Sequence, residues 1–456
     1  MTSIGSSKAD RFAEIDRCLA MISPSSSDES KFVGMLILPK LLQQNDAAAI
    51  QHVFDGMNFT FIERLLRTAP DENAEVPDSV MKEIAVNILG CFARYENLVT
   101  SKPMTERIPT LSTVLTPNDP TDVTEETLHI MLCMAVTKES MVKILDPDVL
   151  KNIFEVFAQT QKAKERSLCV QLVTSVYARA CHQLHEKPIP SLTSAVKYSL
   201  KTTLSILSQI FKNDQDMLKF ETLHMLSQLL PLVPSTVMDK VKHDAEKSYG
   251  RWLEHLRVGL RQLLSSRLRD SDRDEAMVVT ACMLRYFGPD WLFSSLEQTK
   301  ACKRKKEKQS EDKKVLEAYA DANFPSLLVH LSAVETRVML DDINDRLRSL
   351  HNLNAVVHDE EKERRQEIMI PVHYEILEAC IQYLSMHFDN DSNSGTDPEV
   401  LLKIRKTLSD TLEIVMELLR FIQDTTDNDE ELENNTIAQA SMRIVAVWLA
   451  EEGFEL

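Results

Sequence analysis

Four side chains of metal-binding types lie close together just before Pro188: Cys181, His182, His185 and Glu186. On a helix, His182 and His185 are three positions apart and face the same side, so one Zn²⁺ ion could contact both. A zinc site needs further ligands, usually a second pair at a fixed spacing, and the chain contains no CxxC or similar pair. We therefore favour the alternative without metal, in which this group is the polar end of a helix.

Motifs for enzyme chemistry are missing from the sequence. Phosphate-binding loops and nucleophile elbows need clustered glycines, and the nine glycines of the chain are scattered. No GxxxxGK[ST], GxGxxG, GxSxG or HExxH occurs, and two SxxK matches lack their partner motifs SDN and KTG. We expect no enzymatic activity, no catalytic residue, no metal and no cofactor. A hydrolase whose Ser, His and acid meet only in the fold is the competing hypothesis.

The strongest charge feature is the basic run Lys303, Arg304, Lys305 and Lys306, within residues 300–314. The whole chain has 52 Lys and Arg against 70 Asp and Glu, a net charge of −18. Such acidity opposes binding to nucleic acid, so we expect no nucleic-acid partner. The run itself is either a solvated mobile loop or a partner-binding site. In the second case it acts as a nuclear localisation signal or contacts anionic lipid headgroups.

The elements that must position these residues are helices. Apolar residues recur at i, i+3, i+4 and i+7 in successive segments, and most of the 17 prolines fall between those segments. At 456 residues the chain is too long for one compact core, yet its composition barely changes along its length. An array of helical units of about 40 residues, each packed on its neighbours, satisfies both observations. The prediction is an all-α, armadillo- or HEAT-like α-solenoid of degenerate repeats, with a single helical bundle as the alternative.

Charged and polar segments divide the predicted array. We expect an N-terminal helical-repeat array over residues 8–296, a basic linker or loop over 297–316, and C-terminal repeats of the same solenoid over 317–456. The clearest helix is predicted over 236–268, where Trp252 lies on a long apolar stripe and should be a core residue. Further helices are predicted at 148–161, 163–184, 191–212, 324–349 and 372–388. Surface loops are predicted at 100–122, 389–398 and 424–433.

The cysteines and the N-terminal residues indicate the compartment. All eight cysteines have irregular spacing and lie mainly among Leu, Met, Val and Ala, which predicts reduced thiols. Residues 1–20 carry charges where a secretory signal would be apolar. The longest apolar segment, 33–42, has about half the length of a membrane-spanning helix. We expect a cytosolic protein, with a nuclear or peripheral membrane fraction if the basic run directs one.

Seven segments, most of them apolar helix patterns, occur in a fixed order along the chain. They are 32–42 (FVGMLILPKLL), 53–66 (VFDGMNFTFIERLL), 84–98 (IAVNILGCFARYENL), 252–268 (WLEHLRVGLRQLLSSRL), 288–292 (GPDWL), 324–342 (FPSLLVHLSAVETRVMLDD) and 443–452 (RIVAVWLAEE). In type and order these segments resemble the neurochondrin family over about residues 28 to 452. The resemblance implies a cytoplasmic helical-repeat protein without enzymatic activity, which regulates membrane-receptor and kinase signalling through protein contacts. We therefore expect a scaffold or adaptor with signalling or receptor-associated protein partners.

The tryptophans bear on the alternative, a karyopherin-like transport or trafficking factor of the armadillo type. Armadillo import adaptors hold basic peptides on a ladder of WxxxN motifs. None of the three tryptophans here, Trp252, Trp291 and Trp448, has Asn four residues later. This disfavours an import receptor and predicts that the tryptophans are core residues.

Two charged residues are unusual within the segment 324–342. Glu335 and Arg337 lie beside an apolar stripe over 327–338. In one interpretation Arg337 pairs with Asp341 at i, i+4, and the charges stabilise the helix by a few tenths of a kcal/mol. In the other, Glu335 and Arg337 face a partner in the inner groove of the solenoid. Together with the basic run they are the candidate partner-binding residues.

Overall fold

Every regular element in the computed structural model is a helix, as far as the chain is described. The described residues are 8–42, 46–71, 76–243, 250–309, 312–351, 359–388, 395–425 and 435–451. In chain order the helices are α1 (Lys8–Met21), α2 (Asp28–Leu42), α3 (Ala47–Asp55), α4 (Phe59–Leu66), α5 (Asp78–Ala93), α6 (Glu96–Val99), α7 (Lys102–Thr105), α8 (Ile108–Ser112), α9 (Val123–Met134), α10 (Lys138–Ile144), α11 (Pro147–Gln159), α12 (Ala163–Glu186), α13 (Pro190–Asn213), α14 (Met217–Leu229), α15 (Ser235–His243), α16 (Gly250–Leu264), α17 (Asp270–Phe287), α18 (Asp290–Phe293), α19 (Thr299–Lys308), α20 (Lys313–His351), α21 (Glu360–Phe388), α22 (Pro398–Thr425) and α23 (Thr436–Glu451).

The chain forms two compact units. The first unit comprises residues 1–210 and 232–249, and the second comprises 211–231 and 250–456. The boundary between the units therefore falls between residues 210 and 250, upstream of the predicted linker.

In the first unit, four helices form one continuous layer. Helix α2 packs on α5, α5 on α9, and α9 on α12. Shorter helices connect these four and form a second layer, in which α8 contacts α4, α10 and α11. Large side chains fill the space between, and Phe92, Phe157 and Tyr177 are completely buried. Each of these four helices thus packs on the previous or the next of the four, which is the arrangement of an α-solenoid.

The second unit repeats this arrangement with longer helices. One layer contains α14, α17, α21 and α23, each packed on the next, and a second layer contains α16, α20 and α22. The layers meet where α16 packs on α17, α20 on α21 and α22 on α23. Phe293, Phe324, Tyr374 and Tyr383 are buried in this unit. The predicted fold class, an all-α solenoid of degenerate repeats, is confirmed within both units.

Local side-chain chemistry explains several helix ends. The side chain of Asn58 accepts a hydrogen bond from the backbone N–H of Phe61 at 3.1 Å and so begins α4. Gly288 ends α17 with φ at +78°, a conformation that other residues rarely adopt. Asn118 takes a positive φ of 59° in a loop, and its amide donates to the carbonyl of Gln159 at 3.0 Å. These contacts fix the direction in which the chain leaves each helix.

Prolines occur in first turns and inside helices, and this changes several predicted boundaries. Pro103 and Pro109 lie in the first turns of α7 and α8, so the first half of the predicted loop 100–122 is helical. Proline is tolerated there because a first-turn N–H has no partner within the helix. Pro325 and Pro371 lie inside α20 and α21, which both begin earlier than predicted. Tertiary packing of these helices outweighs the lost backbone hydrogen bond.

The predicted helix over 236–268 is replaced by two helices. Helix α15 ends at His243, α16 begins at Gly250, and the two belong to different compact units. Residues 244–249, which the prediction included, lie outside the described residues. Trp252 is nevertheless a core residue as predicted: it is 8% exposed, and its ring meets that of Phe287 edge-on at 5.7 Å.

The basic segment over 297–316 is mostly helical, contrary to the prediction of a linker or loop. Helix α19 covers Thr299–Lys308 and α20 begins at Lys313, while residues 310–311 lie outside the described part. The segment folds because Thr299 and Cys302 are buried against the second unit. The prediction of a loop rested on the high charge of the segment, which does not reveal that one side of it is buried.

Only parts of the other two predicted loops are described. Residues 395–397 precede α22, and residues 424–425 are its last two. The remainder of both segments, 389–394 and 426–433, lies outside the described residues.

Candidate functional site

Helix α19 is fixed to the rest of the second unit at its first turn. The backbone N–H of Asp397 donates to the hydroxyl of Thr299 at 2.8 Å, and the N–H of Lys300 donates to the carbonyl of Gly395 at 3.1 Å. Gly395 lies so close that a Cβ atom there would collide with the carbonyl oxygen of Glu297. The start of α19 and residues 395–397 therefore form one tight contact.

Two of the four cations of the basic run contact other residues of the second unit. The ammonium of Lys303 lies 2.8 Å from a carboxylate oxygen of Asp397 and 2.8 Å from one of Glu399. The hydrogen bond from Lys303 lowers the pKa of Asp397. The ammonium of Lys306 lies 4.0 Å from the ring centroid of Tyr319, a cation–π contact. Lys303 and Lys306 thus hold α19 in place.

The other side of α19 carries cations that form no ion pair within the described part of the chain. Lys300, Arg304, Lys305 and Lys308 are exposed, and none makes an ion pair or a side-chain hydrogen bond with a described residue. We call these four residues the α19 basic face. The structure thus divides the predicted basic run into an anchoring side and a free side, and it adds Lys300 and Lys308 to the free side.

Glu335 lies in an ion-pair network rather than on a free surface. Its carboxylate is 3.2 Å from Arg273 of α17 and 3.4 Å from Arg365 of α21, and its side chain is 16% exposed. Arg365 also makes two hydrogen bonds to Asp274, at 2.6 and 2.8 Å, which raise the pKa of Arg365. The network joins three helices, so Glu335 has a structural role.

Arg337 does not form the predicted pair with Asp341. Its Nε atom donates to the carbonyl of Ala333 at 3.3 Å, and no ion pair joins it to a described residue. The apolar stripe beside it is partly on the surface, since Val334 is 37% and Val338 is 55% exposed. The structure therefore separates the two candidates on α20: Glu335 is held inside the unit, and Arg337 is half-exposed.

Comparable ion pairs cross-link the long-helix layer of the second unit. Arg285 of α17 pairs with Glu375 of α21 at 2.6 Å, and Arg443 of α23 pairs with Glu378 of α21 at 2.7 Å. Burial raises the pKa of Glu378 although Arg443 lowers it. These charged side chains form ion pairs with neighbouring helices, whereas those of the α19 basic face form none with a described residue.

A buried histidine and a half-buried glutamate have no signal in the sequence. His373 is completely buried, and neither of its ring nitrogens has a hydrogen-bond partner among the residues that the structure describes. Burial and the charges of Arg365 and Arg273 lower the pKa of His373 to about 3, so its imidazole is neutral. In the first unit, Glu126 packs against Gly90, where no side chain blocks it, and burial raises the pKa of Glu126. Both positions depend on contacts between helices that are distant in sequence.

The four potential metal ligands near Pro188 point in different directions. Cys181 is buried, and burial raises its pKa to about 12. His185 contacts the carbonyl oxygen of Leu232 at 3.1 Å. His182 lies 3.7 Å from Glu186, and both side chains are exposed. Among the described residues no three His, Cys, Asp or Glu side chains come together as metal ligands would.

Three further buried cysteines are also poorly placed for catalysis. Burial raises the pKa of Cys282 to about 11, and it raises the pKa of Cys169 and Cys380 further. A thiol nucleophile needs a lowered pKa and access to solvent, so these three thiols are inert. Across the described ranges no helix has both the length and the hydrophobicity needed to cross a membrane.

Comparisons with known proteins give one family and remote structural similarity. The family model described as Neurochondrin matches residues 9–456. Neurochondrin of Bos taurus is 23% identical over 450 residues, which covers 96% of this chain and 51% of that protein. Neurochondrin of Homo sapiens is 22% identical over 448 residues, with the same coverage of 96% and 51%. The chain thus spans about half the length of the curated relatives it matches.

Among solved structures, a computationally designed armadillo repeat protein for modular peptide recognition covers 59% of this chain and 99% of its own. It is 10% identical, with a TM-score of 0.38. The fold rests on the helix packing described above and not on this similarity.

Proposed function

Because the chain belongs to the neurochondrin family, we propose that it is a non-enzymatic scaffold or adaptor that binds protein partners and regulates signalling. The chain spans about half of its curated relatives. Receptor-associated proteins are therefore proposed partners of this chain.

Support against an enzyme comes from the placement of the reactive side chains. Buried thiols such as Cys282 are kept protonated, and the imidazole of His373 is closed off from solvent. Neither group can act as a nucleophile or general base on a substrate. Stacked helices, such as those of each unit, form extended surfaces that suit a protein partner.

The observation that carries the proposal is the α19 basic face. Cations that form no ion pair with a described residue, on an ordered helix of a protein with net charge −18, mark a place where an anionic group is attracted. Intramolecular bonds hold the opposite side of α19, so the exposed side is free for a partner. On α20, Arg337 is a secondary candidate because it is half-exposed.

We propose the cytosol as the location. Peripheral contact with an anionic membrane is the alternative that vesicle binding tests. A nuclear localisation signal is less well supported. If import receptors read the run as an extended peptide, α19 would have to unfold and Lys303 would have to leave Asp397 and Glu399.

The test is affinity purification of the full chain with quantitative mass spectrometry. The variant Arg304→Glu/Lys305→Glu reverses two exposed charges, and Lys138→Glu/Lys240→Glu makes the same charge change on exposed residues of the first unit. Reversal is preferable to deleting 300–314, because deletion would also remove the buried Cys302. We expect specific protein partners with the intact chain and the control, and loss of some of them with the α19 variant.

Two outcomes would contradict the proposal. If no protein is enriched over a tag-only control, the scaffold role is wrong. If transport factors are recovered and a GTPase releases them, the karyopherin-like alternative takes its place.

A further inference from the structure

We propose that the α19 basic face binds an acidic segment of a protein partner, in which successive carboxylates lie about 6 Å apart. This inference rests on the proposed function and specifies the partner chemistry at one site.

The spacing of the cations sets the spacing of the ligand. Lys300, Arg304 and Lys308 are four residues apart, so along a helix with a rise of 1.5 Å they are separated by about 6 Å each. Lys305 lies next to this row. Carboxylates at i and i+4 of a helix have the same separation, and those at i and i+2 of an extended strand are about 6.6 Å apart. An acidic segment of either kind can pair with the row in register.

The face is ordered before any partner arrives. Thr299 and Cys302 are buried, Lys303 is bonded to two carboxylates and Lys306 lies over Tyr319. Fixing α19 in this way removes much of the ordering cost that a flexible basic loop would incur on binding. The partner's acidic side chains therefore meet cations that already have the right spacing.

The described start of the chain's own acidic run lies far along α22 from this face. Residues 424–433 hold six acidic residues and no basic one, and they begin at the end of α22. The start of α22 lies beside α19 through the pair of Glu399 and Lys303. Because its 28 residues extend about 42 Å, the run begins about 40 Å from α19. The proposed occupant is therefore a segment of another molecule.

The surroundings of the face favour a peptide over a membrane. Glu307 lies on α19 itself, and the side chain of Glu399 beside it is 83% exposed. A flat anionic bilayer would approach these carboxylates together with the cations, whereas a narrow segment can follow the cations alone. The exposed side of α19 also has Ala301 as its only apolar residue, so no large side chain can insert into lipid.

The test uses the full chain and a fluorescent peptide that forms a helix, with Glu at every fourth position in an Ala and Gln background. A second peptide has the same composition with its Glu residues contiguous. Vesicles of phosphatidylcholine with about 30% phosphatidylserine represent the anionic membrane. Binding is measured by anisotropy for the peptides and by co-sedimentation for the vesicles, at two salt concentrations.

We expect the spaced peptide to bind the intact chain more tightly than the contiguous one, and added salt to weaken its binding. Arg304→Glu/Lys305→Glu should weaken binding about tenfold or more, because two attractions become repulsions. Lys138→Glu/Lys240→Glu should change it less than twofold. If reversal lowers the melting temperature, Arg304→Gln/Lys305→Gln replaces it, with an expected loss of about threefold.

The inference is overturned if the α19 variant and the intact chain bind the spaced peptide equally, or if the intact chain binds neither peptide. Vesicle binding that depends on Arg304 and Lys305, without peptide binding, would assign the face to a membrane. The scaffold proposal is judged separately, because it stands if affinity purification recovers the same partners from the α19 variant. It fails if the intact chain recovers none.

Discussion

Replacing Glu335 by Gln should destabilise the second compact unit, because Glu335 joins arginines from two neighbouring helices. Its carboxylate lies 3.2 Å from Arg273 and 3.4 Å from Arg365. The side chain is 16% exposed, so water replaces the lost charge only in part. The neutral amide would leave Arg273 with one remaining carboxylate, the exposed Asp270.

The expected loss of stability lies between two limits. An exposed ion pair contributes about 0.2 to 1 kcal/mol, and breaking a fully buried pair costs about 3 to 5 kcal/mol. Glu335 is partly buried, and Arg365 keeps its bonds to Asp274, so we expect a loss of about 1 to 2.5 kcal/mol. For a unit of this size, 1 kcal/mol shifts the melting temperature by about 2 to 4 °C, so the shift should be roughly 2 to 10 °C.

The assay is differential scanning calorimetry, with Arg337→Gln as the matched control. Arg337 lies two positions further along α20 and forms no ion pair with a described residue, so its replacement should cost less than about 0.5 kcal/mol. A double-mutant cycle of Glu335→Gln with Arg273→Met should give a coupling free energy of about 0.5 kcal/mol or more. An unchanged melting temperature for Glu335→Gln, together with loss of partners, would show that Glu335 faces a partner and that the structural assignment is wrong.

Three further predictions concern the buried groups. Trp252→Ala should destabilise the protein by about 3 to 5 kcal/mol, measured by denaturant unfolding, and an unchanged transition would place Trp252 on a recognition surface. The low pKa of His373, about 3 in the folded state against about 6.5 unfolded, means that the unfolded state binds more protons in this range. Stability should therefore fall as the pH drops from about 6.5 towards 3, by up to about 1.4 kcal/mol per pH unit from this group, and His373→Leu should flatten the dependence measured by unfolding at several pH values. In thiol titration of the native protein, the half-buried Cys91 and Cys133 should react before the six buried cysteines, and all eight should react after denaturation without reductant; fewer than eight would indicate a disulfide.

The fold class could be predicted because helical periodicity is a local property of the sequence. The segments containing Phe157 and Tyr177 repeat apolar residues at helical spacing, and both lie on helices near the predicted bounds. Boundaries at proline were less accurate. Pro325 was expected to lie near the start of a helix, but α20 begins twelve residues before it at Lys313. Tertiary contacts decide whether a proline is tolerated inside a helix, and the sequence does not contain them.

The sequence predicts only part of the candidate site, because the fold decides which charged side chains are buried or paired. The sequence identified the basic run, but not that Lys303 and Lys306 anchor α19 while Lys300 and Lys308 extend its free side. That division depends on Asp397, which is distant in sequence. Glu335 was likewise placed among candidates for a partner, because its arginine partners lie on α17 and α21. Charge counting finds where cations are, and only the fold determines which of them are already paired.

Helix α19 should be folded in solution and should keep its cationic face free for a partner. Hydrogen–deuterium exchange of the full chain, alone and with the spaced acidic peptide, tests it most directly. We expect slow exchange for the backbone amides of residues 303–308 in the free protein, since they are hydrogen-bonded within α19, and further slowing there when the peptide is added. Exchange at the rate of an unstructured chain in the free protein, or protection by the peptide elsewhere and not on α19, would contradict it.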